Sequence, residues 1–106
     1  MIQIVEKLDG LGRAVGYRVS GHALFAEAGQ DIVCAAVSML VINTVNSIEK
    51  FLPEEKMQVR DSDGFIEFEV DSPSDGAMLL LNSLGFGLEE LQKKYGRKYI
   101  RIKSKG

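Results

Sequence analysis

Two side chains in this sequence can carry nucleophilic and acid–base chemistry near neutral pH, and each residue type occurs once. Cys34 is the only cysteine and His22 the only histidine among the 106 residues. A thiol that passes its proton to an imidazole becomes a nucleophile, and the imidazolium can then protonate a leaving amine. If this chain catalyses such chemistry, these two residues are the candidates.

Asp31 stands directly before a long apolar run that Pro53 ends, and aspartate is a preferred helix N-cap. With Asp31 as the cap, we predict a helix from Ile32 to Leu52 in which Cys34 is the third residue. First-turn amide groups have no acceptor within the helix, and the positive end of the helix dipole favours a thiolate there. The carboxylate of Asp31 opposes this effect, so the sequence leaves the balance open.

His22 precedes Cys34 within a stretch, Gly21 to Gln30, that shows no steady hydrophobic period. We predict a loop there, with one helical turn at residues 24–28, that can bring the imidazole to the helix start. First-turn amide groups could stabilise an oxyanion, and Ser38 shares the helical face of Cys34. The ordinary alternatives are a buried structural cysteine and a solvated histidine.

The segment from residue 21 to residue 38 reads GHALFAEAGQDIVCAAVS. It resembles the signature of the bacterial ribosomal-processing cysteine proteases, the Prp family. In that family Gly-His-Ala is followed by Gly-x-Asp-Ile-Val-Cys-Ala-x-Val-Ser. This chain has those residues in the same order and spacing, and the resemblance extends over essentially its whole length.

The resemblance implies a cysteine endopeptidase in which His22 is the base and Cys34 the nucleophile. It implies a substrate too: the N-terminal extension of the precursor of ribosomal large-subunit protein L-twenty-seven, cut after aromatic residues. It further implies a homodimer and a loop over residues 21–30 that closes over the substrate. The remaining candidate site residues match family positions and are expected to bind substrate or support the site: Gly21, Asp31 and Ser38.

Composition limits the class of protein. A net charge of −2 with 45% hydrophobic and 26% charged residues is typical of a soluble domain. One cysteine and one histidine are too few for a disulfide or a structural zinc site, so we expect no metal or other cofactor. The most apolar stretch, Ile32 to Ile42, is too short to span a bilayer, and the start MIQIVEKLDG lacks a signal-peptide pattern. We therefore predict a cytoplasmic protein with no membrane partner.

Hydrophobic periodicity predicts one α+β domain over residues 1–106, a small sandwich with the element order ββαββαβ. We expect two hairpins, one turning at residues 9–12 and one at residues 61–64. The helix between them is apolar almost all round and should be buried on most sides. The order of the roughly five strands within the sheet cannot be read from this pattern.

A second helix is predicted over residues 76–95, with Ser74 and Asp75 as candidate caps. Gly96 should end it as a left-handed C-cap, and a last strand should follow around residues 99–103. The apolar stripe of this helix is expected at Leu80, Leu84, Leu88 and Leu91.

Charge is distributed unevenly along the chain: basic residues crowd the C-terminal segment and acidic residues gather in the middle. We favour two solvated strand faces that attract each other across the sheet over a basic edge that contacts ribosomal RNA. Two other functions stay open. One is a non-enzymatic ribosome- or RNA-binding module that uses the basic C-terminal strand. The other is a thiol redox sensor based on Cys34.

Overall fold

The computed structural model describes residues 1–21, 30–62 and 64–106, without the side chains of Gln30 and Asp31. The α+β class and the predicted element order ββαββαβ are confirmed. The elements are β1 (Ile2–Leu8), β2 (Ala14–Ser20), α1 (Gln30–Phe51), β3 (Lys56–Ser62), β4 (Phe65–Asp71), α2 (Asp75–Tyr95) and β5 (Ile100–Lys105).

The strands form one sheet in the order β3-β4-β2-β1-β5. Three neighbouring pairs are antiparallel, and β5 lies parallel to β1, with Ile2 opposite Ile100. The predicted turn after β1 is confirmed, because the Asp9 carboxylate accepts hydrogen bonds from the amides of Leu11 and Arg13, each at 2.9 Å. Because the last strand pairs with the first, both terminal strands of the chain are part of the sheet.

Both helices cover one face of the sheet, and strand alternation sends every second side chain into the layer between. The largest fully buried side chains come from the strands and from both helices, with Tyr17 and Phe68 the largest of all. The opposite face of the sheet carries mainly charged side chains. The molecule is therefore a two-layer structure, with helices on one side of the sheet only.

Helix α1 buries one stripe and not most of its surface, so the sequence expectation is wrong here. The buried stripe comprises Val33, Val37, Val41, Val45 and Ile48. On the outer side, Ile32 and Met39 are each 62% exposed and Ile42 is 42% exposed. A two-layer fold covers a helix only from the sheet and from the neighbouring helix, which leaves this third side bare.

Among the described residues, α1 is long and apolar enough to cross a membrane by length and composition. The segment Ile32–Phe51 has a mean hydropathy of 1.6. It is longer than the stretch Ile32 to Ile42 considered in the sequence, because the helix continues through mixed residues to Phe51. Its buried stripe packs against the sheet and α2, as expected for the core helix of a folded domain.

Helix α2 begins as predicted. Ser74 is the N-cap, and its side-chain oxygen accepts a hydrogen bond from the amide of Ala77 at 3.2 Å. Leu84 and Leu88 are buried as expected. In the turn before them, the buried residue is Leu81 and not Leu80 as predicted. The residues Leu80 and Leu91 are half-buried and pack against the core.

Gly96 ends α2 with a positive φ, but not in the left-handed helical conformation predicted. Its φ is 105° and its ψ is 158°, an extended conformation open essentially to glycine alone. The amide of Gly96 still donates to the carbonyl of Gln92 at 2.8 Å. The chain leaves the helix extended because it must enter β5 within a few residues.

The Tyr17 side chain is buried between the sheet and α2. Its hydroxyl lies 3.2 Å from the Glu6 carboxylate and 3.2 Å from the carbonyl oxygen of Leu81, and it donates to one of them at a time. Burial, followed by the charge of Glu6, raises the pKa of Tyr17 well above its ordinary value. Gly85 makes room for this group, since a Cβ there would lie 2.6 Å from the hydroxyl oxygen.

We expect Gly85→Ala to destabilise the protein by about 1–3 kcal/mol, although alanine is the better helix former, because the methyl group overlaps the Tyr17 hydroxyl. In a Tyr17→Phe background the same change should be neutral or stabilising, since the overlapping atom is gone. Urea unfolding of the four proteins in this double-mutant cycle measures both effects. An equal cost of Gly85→Ala in both backgrounds would contradict the assignment.

Candidate active site

Helix α1 begins one residue before the predicted cap. The helix starts at Gln30, so Asp31 is its second residue and Cys34 its fifth, not the cap and the third residue. Glutamine is a good helix former, and it extends the helix towards the N-terminus beyond the point that the aspartate suggested. An acidic residue in the first turn still lies where the helix dipole favours negative charge.

Cys34 is half-buried and packs against the hydrophobic core. Helical side chains lean towards the N-terminus of their helix, so the thiol lies over the first turn of α1. Its preceding neighbour Val33 is only 1% exposed and holds this part of the helix against the core. The result is a thiol fixed by packing but not enclosed by it.

Ser38 is also half-buried and follows Cys34 by one helical turn. The spacing of 3.6 residues per turn puts both on a flank of α1 that points away from α2. Helix α2 contacts the other flank, where a Cβ on Gly87 would lie 3.0 Å from a methyl carbon of Leu40. The predicted sharing of one face by Cys34 and Ser38 therefore holds in the fold.

Gly21 ends β2 in a conformation that other residues rarely adopt, with a φ of +73°. A Cβ at this position would overlap the backbone carbonyl oxygen of Met1. The Gly21 amide also donates to the carbonyl of Gly64 at 3.2 Å. The residue before His22 is thus held between the start of β1 and the turn that joins β3 to β4, a structural reason for glycine that the sequence alone did not supply.

Two candidate residues cannot be placed in this geometry. His22 and the predicted helical turn at residues 24–28 lie outside the described residues, as does the side chain of Asp31. The structure brings Cys34 and Ser38 together on one flank and anchors Gly21 at the end of β2. Pairing of Cys34 with His22 stays a prediction.

Within residues 1–21, 30–62 and 64–106, no group of three or more His, Cys, Asp or Glu side chains could hold a metal ion. A surface cleft of about 640 Å³ lies between β5 and α2 and is lined by Glu6, Glu89, Gln92 and Lys103 among others. Cys34 does not line this cleft. The thiol on α1 therefore remains the centre of the candidate site.

Comparison with known proteins identifies the family of the chain. A family model described as cysteine protease Prp matches residues 1–101. The ribosomal processing cysteine protease Prp of Bacillus subtilis is 31% identical over 101 residues, covering 90% of each chain. The protein of the same name from Staphylococcus aureus is 30% identical over 107 residues, covering 99% of this chain and all of the relative.

Solved structures agree with these matches. The crystal structure of an essential ribosomal processing protease Prp from S. aureus in complex with a substrate peptide has a TM-score of 0.89 and 27% identity, and covers 99% of this chain and 100% of that one. A second S. aureus structure, with a covalently linked product peptide, has a TM-score of 0.84, 28% identity and the same coverage. Since the family match spans nearly the whole chain, the chain belongs to the Prp family of ribosomal processing cysteine proteases.

Proposed function

We propose that the chain is an endopeptidase in which Cys34 is the nucleophile and His22 the general base. One observation carries this proposal: a cysteine protease requires a thiol, and the chain contains a single cysteine. That cysteine is half-buried in the second turn of α1, packed in place yet reachable. The chain's single imidazole is the side chain best suited to remove the thiol proton near neutral pH.

The proposed reaction divides one difficult step into two. His22 takes the proton of Cys34, and the sulfur attacks the carbonyl carbon of the scissile peptide. The oxyanion receives hydrogen bonds from amides of the first turn of α1, over which the Cys34 side chain leans. Collapse of this intermediate breaks the C–N bond, and the imidazolium of His22 protonates the departing amine. Water then hydrolyses the thioester and releases the acid.

The proposed substrate is the N-terminal extension of the precursor of ribosomal large-subunit protein L-twenty-seven, cut after an aromatic residue. Support comes from the relatives, which are named ribosomal processing proteases. An S. aureus relative holds a covalently linked product peptide, as expected for a covalent mechanism in that protein. A ribosomal precursor is made in the cytoplasm, and we place this enzyme there as well.

We expect Cys34→Ala and Cys34→Ser to abolish cleavage of an extension peptide, because no other thiol can attack the carbonyl. His22→Ala should lower kcat by about 10²–10⁴-fold, the usual contribution of a positioned base. Cleavage is followed by chromatography of the peptide fragments. Ser47→Ala, a small change further along α1, serves as the control and should leave cleavage intact.

Circular dichroism and urea unfolding establish that each variant is folded. Full activity of folded Cys34→Ala would exclude the proposal. Alkylation of Cys34 separates the alternatives further, since a pure RNA-binding module would be indifferent to it. A redox sensor would be indifferent to His22→Ala.

Gly21 is proposed to position His22 by fixing the end of β2, and Ser38 and Asp31 are proposed as supporting residues of the same site. The backbone of Gly21 is held by its left-handed φ, by the carbonyl of Met1 and by the hydrogen bond to Gly64. A side chain here would push the chain away from β1 just before the imidazole. A substitution of Gly21 should therefore lower the rate of catalysis as well as the stability of the protein.

Three glycine variants separate these effects. Gly10→Ala meets open space without a left-handed φ, Gly12→Ala adds the strain of a φ of +79° in open space, and Gly21→Ala adds the overlap with Met1. Each left-handed alanine should cost about 1–3 kcal/mol of unfolding free energy, with Gly21→Ala the most costly. At a temperature where all are folded, only Gly21→Ala should lower kcat. Equal kcat for all three would contradict a positioning role.

We also propose that the enzyme is a homodimer whose interface includes the bare side of the helix layer. Exposed apolar side chains gather on both helices there: Ile32, Met39, Ile42, Leu79 and Phe86. Several exposed large apolar side chains on one layer favour an interaction site, and a twofold axis would place this layer against itself.

Met39→Asp and Phe86→Asp should each shift the protein from dimer to monomer, because the interface would have to bury a carboxylate. Leu11→Asp is the control, since Leu11 is 79% exposed but lies on the β1–β2 turn. Sedimentation velocity measures the outcome. A wild-type protein that is monomeric at all concentrations, or a dimer that only Leu11→Asp disrupts, would overturn the assignment.

A further inference from the structure

The sheet face opposite the helices, here called the open face, carries more basic than acidic side chains although the chain has a net charge of −2. Alternation along the strands points these cations to it: Lys7, Arg18, Arg60, Arg101, Lys103 and Lys105. The exposed fractions of the Arg18 and Arg60 side chains are 41% and 70%. These cations outnumber the acidic side chains of the same face, which are Glu67, Glu69 and Asp71 of β4.

Two of the three acidic residues of β4, Glu67 and Glu69, are engaged by nearer cations, and the third, Asp71, accepts a hydrogen bond from Gln58. Glu67 accepts from Lys7 at 2.6 Å and from Arg60 at 3.1 Å, and Arg18 lies 3.9 Å away. The hydrogen bond from Lys7 holds the pKa of Glu67 below its ordinary value, so this carboxylate stays ionised within its cluster. The carboxylate of Glu69, two residues further along β4, lies 3.6 Å from the ammonium group of Lys7.

The cations of β5 have no such partners in the described part of the chain. Their neighbours on β1 are Gln3, Val5 and Lys7, opposite Arg101, Lys103 and Lys105 respectively. Two strands separate β5 from β4, a distance of about 14 Å, which exceeds the screening length of about 8 Å at physiological salt. No ion pair joins the β5 cations to the acidic residues of β4 in the described part of the chain, and the expected attraction between the basic C-terminal strand and the acidic middle segment stays a prediction.

The cations of β5 are spaced so that they can bind a linear polyanion. Alternate residues of a strand are about 6.6 Å apart, so Arg101, Lys103 and Lys105 form a regular exposed row along the edge strand. A cleft of about 530 Å³ beside this row is lined by the cations Lys7 and Arg18 and also by the carboxylates Glu67 and Glu69, which pair with Lys7. The exposed row on β5 can therefore follow a chain of phosphates.

Two guanidinium groups on the same face are held in place by an aromatic ring. The guanidinium carbon of Arg18 lies 4.4 Å from the centre of the Phe65 ring, and that of Arg60 lies 5.6 Å from it. Such contacts pre-organise planar groups that hydrogen-bond phosphate and stack on bases.

We propose that the open face binds single-stranded RNA through its phosphate backbone, with Lys103 and Lys105 as principal contacts. A membrane surface fits less well, because none of the exposed large apolar side chains lies on β5, and the one on a strand, Val59, lies on β3 at the other edge of the sheet. The choice of RNA among polyanions rests on the proposed ribosomal function. Binding itself needs neither Cys34 nor His22.

The test measures binding of a fluorescently labelled oligouridylate to the full chain over a range of salt concentrations. Each phosphate contact contributes about 0.7 to the slope of log Kobs against log salt, so Lys103→Gln/Lys105→Gln should reduce the slope by about 1.4. Lys93→Gln/Lys94→Gln, which removes the same charge from α2, should leave the slope unchanged. Both double variants should cleave a short extension peptide as the unmodified chain does.

The outcomes separate this proposal from the catalytic one. Salt-independent or undetectable oligouridylate binding, or equal slopes for the two double variants, would overturn the RNA surface whether or not the peptide is cleaved. Equally tight binding of oligoglutamate, or of phosphatidylserine vesicles, would assign the face to acidic peptides or membranes instead. Cys34→Ala should retain full RNA binding, so failure of proteolysis leaves the surface intact.

Discussion

The structure depends above all on the packing of one stripe of α1 against the sheet. Val33, Val37, Val41, Val45 and Ile48 are all nearly inaccessible to solvent. Burial of each such side chain contributes about 1.5–3 kcal/mol to the free energy of folding. Rotating the helix by one residue would expose this stripe and cost far more than any contact made by the thiol could contribute. This packing decides which flank of α1 carries Cys34 and Ser38 and which side is left bare.

The two faces of the sheet have separate roles because only one of them is covered. On the covered face, close packing limits which side chains fit, and Gly85, for example, leaves space for the Tyr17 hydroxyl. On the open face, charged side chains remain in water, where each pair contributes little to stability but the summed field can attract a charged partner. Catalysis and the proposed RNA contact can therefore be altered independently.

The expectations that were wrong share one physical cause, which is that they were drawn from local pattern. An apolar helix was expected to be buried on most sides, but the amount of cover depends on how many layers surround it. The place of the C-terminal cations in the sheet could not be predicted from local pattern either, because β5 pairs with β1, and this parallel pairing depends on contacts far apart in the chain. Gly96 adopts an extended conformation because of where the next strand must begin.

Local sequence signals determined the element order, the Ser74 cap, the Asp9 turn and the family signature with its single thiol and single imidazole. These features depend on residues a few positions apart, so periodicity and side-chain hydrogen bonding suffice to predict them. Only the tertiary structure decided the strand order, the bare side of the helices, the half-burial of Cys34 and the close approach of Gly21 to Met1. Each of these depends on surfaces brought together by folding, and burial is a property of what covers a residue and not of the residue itself.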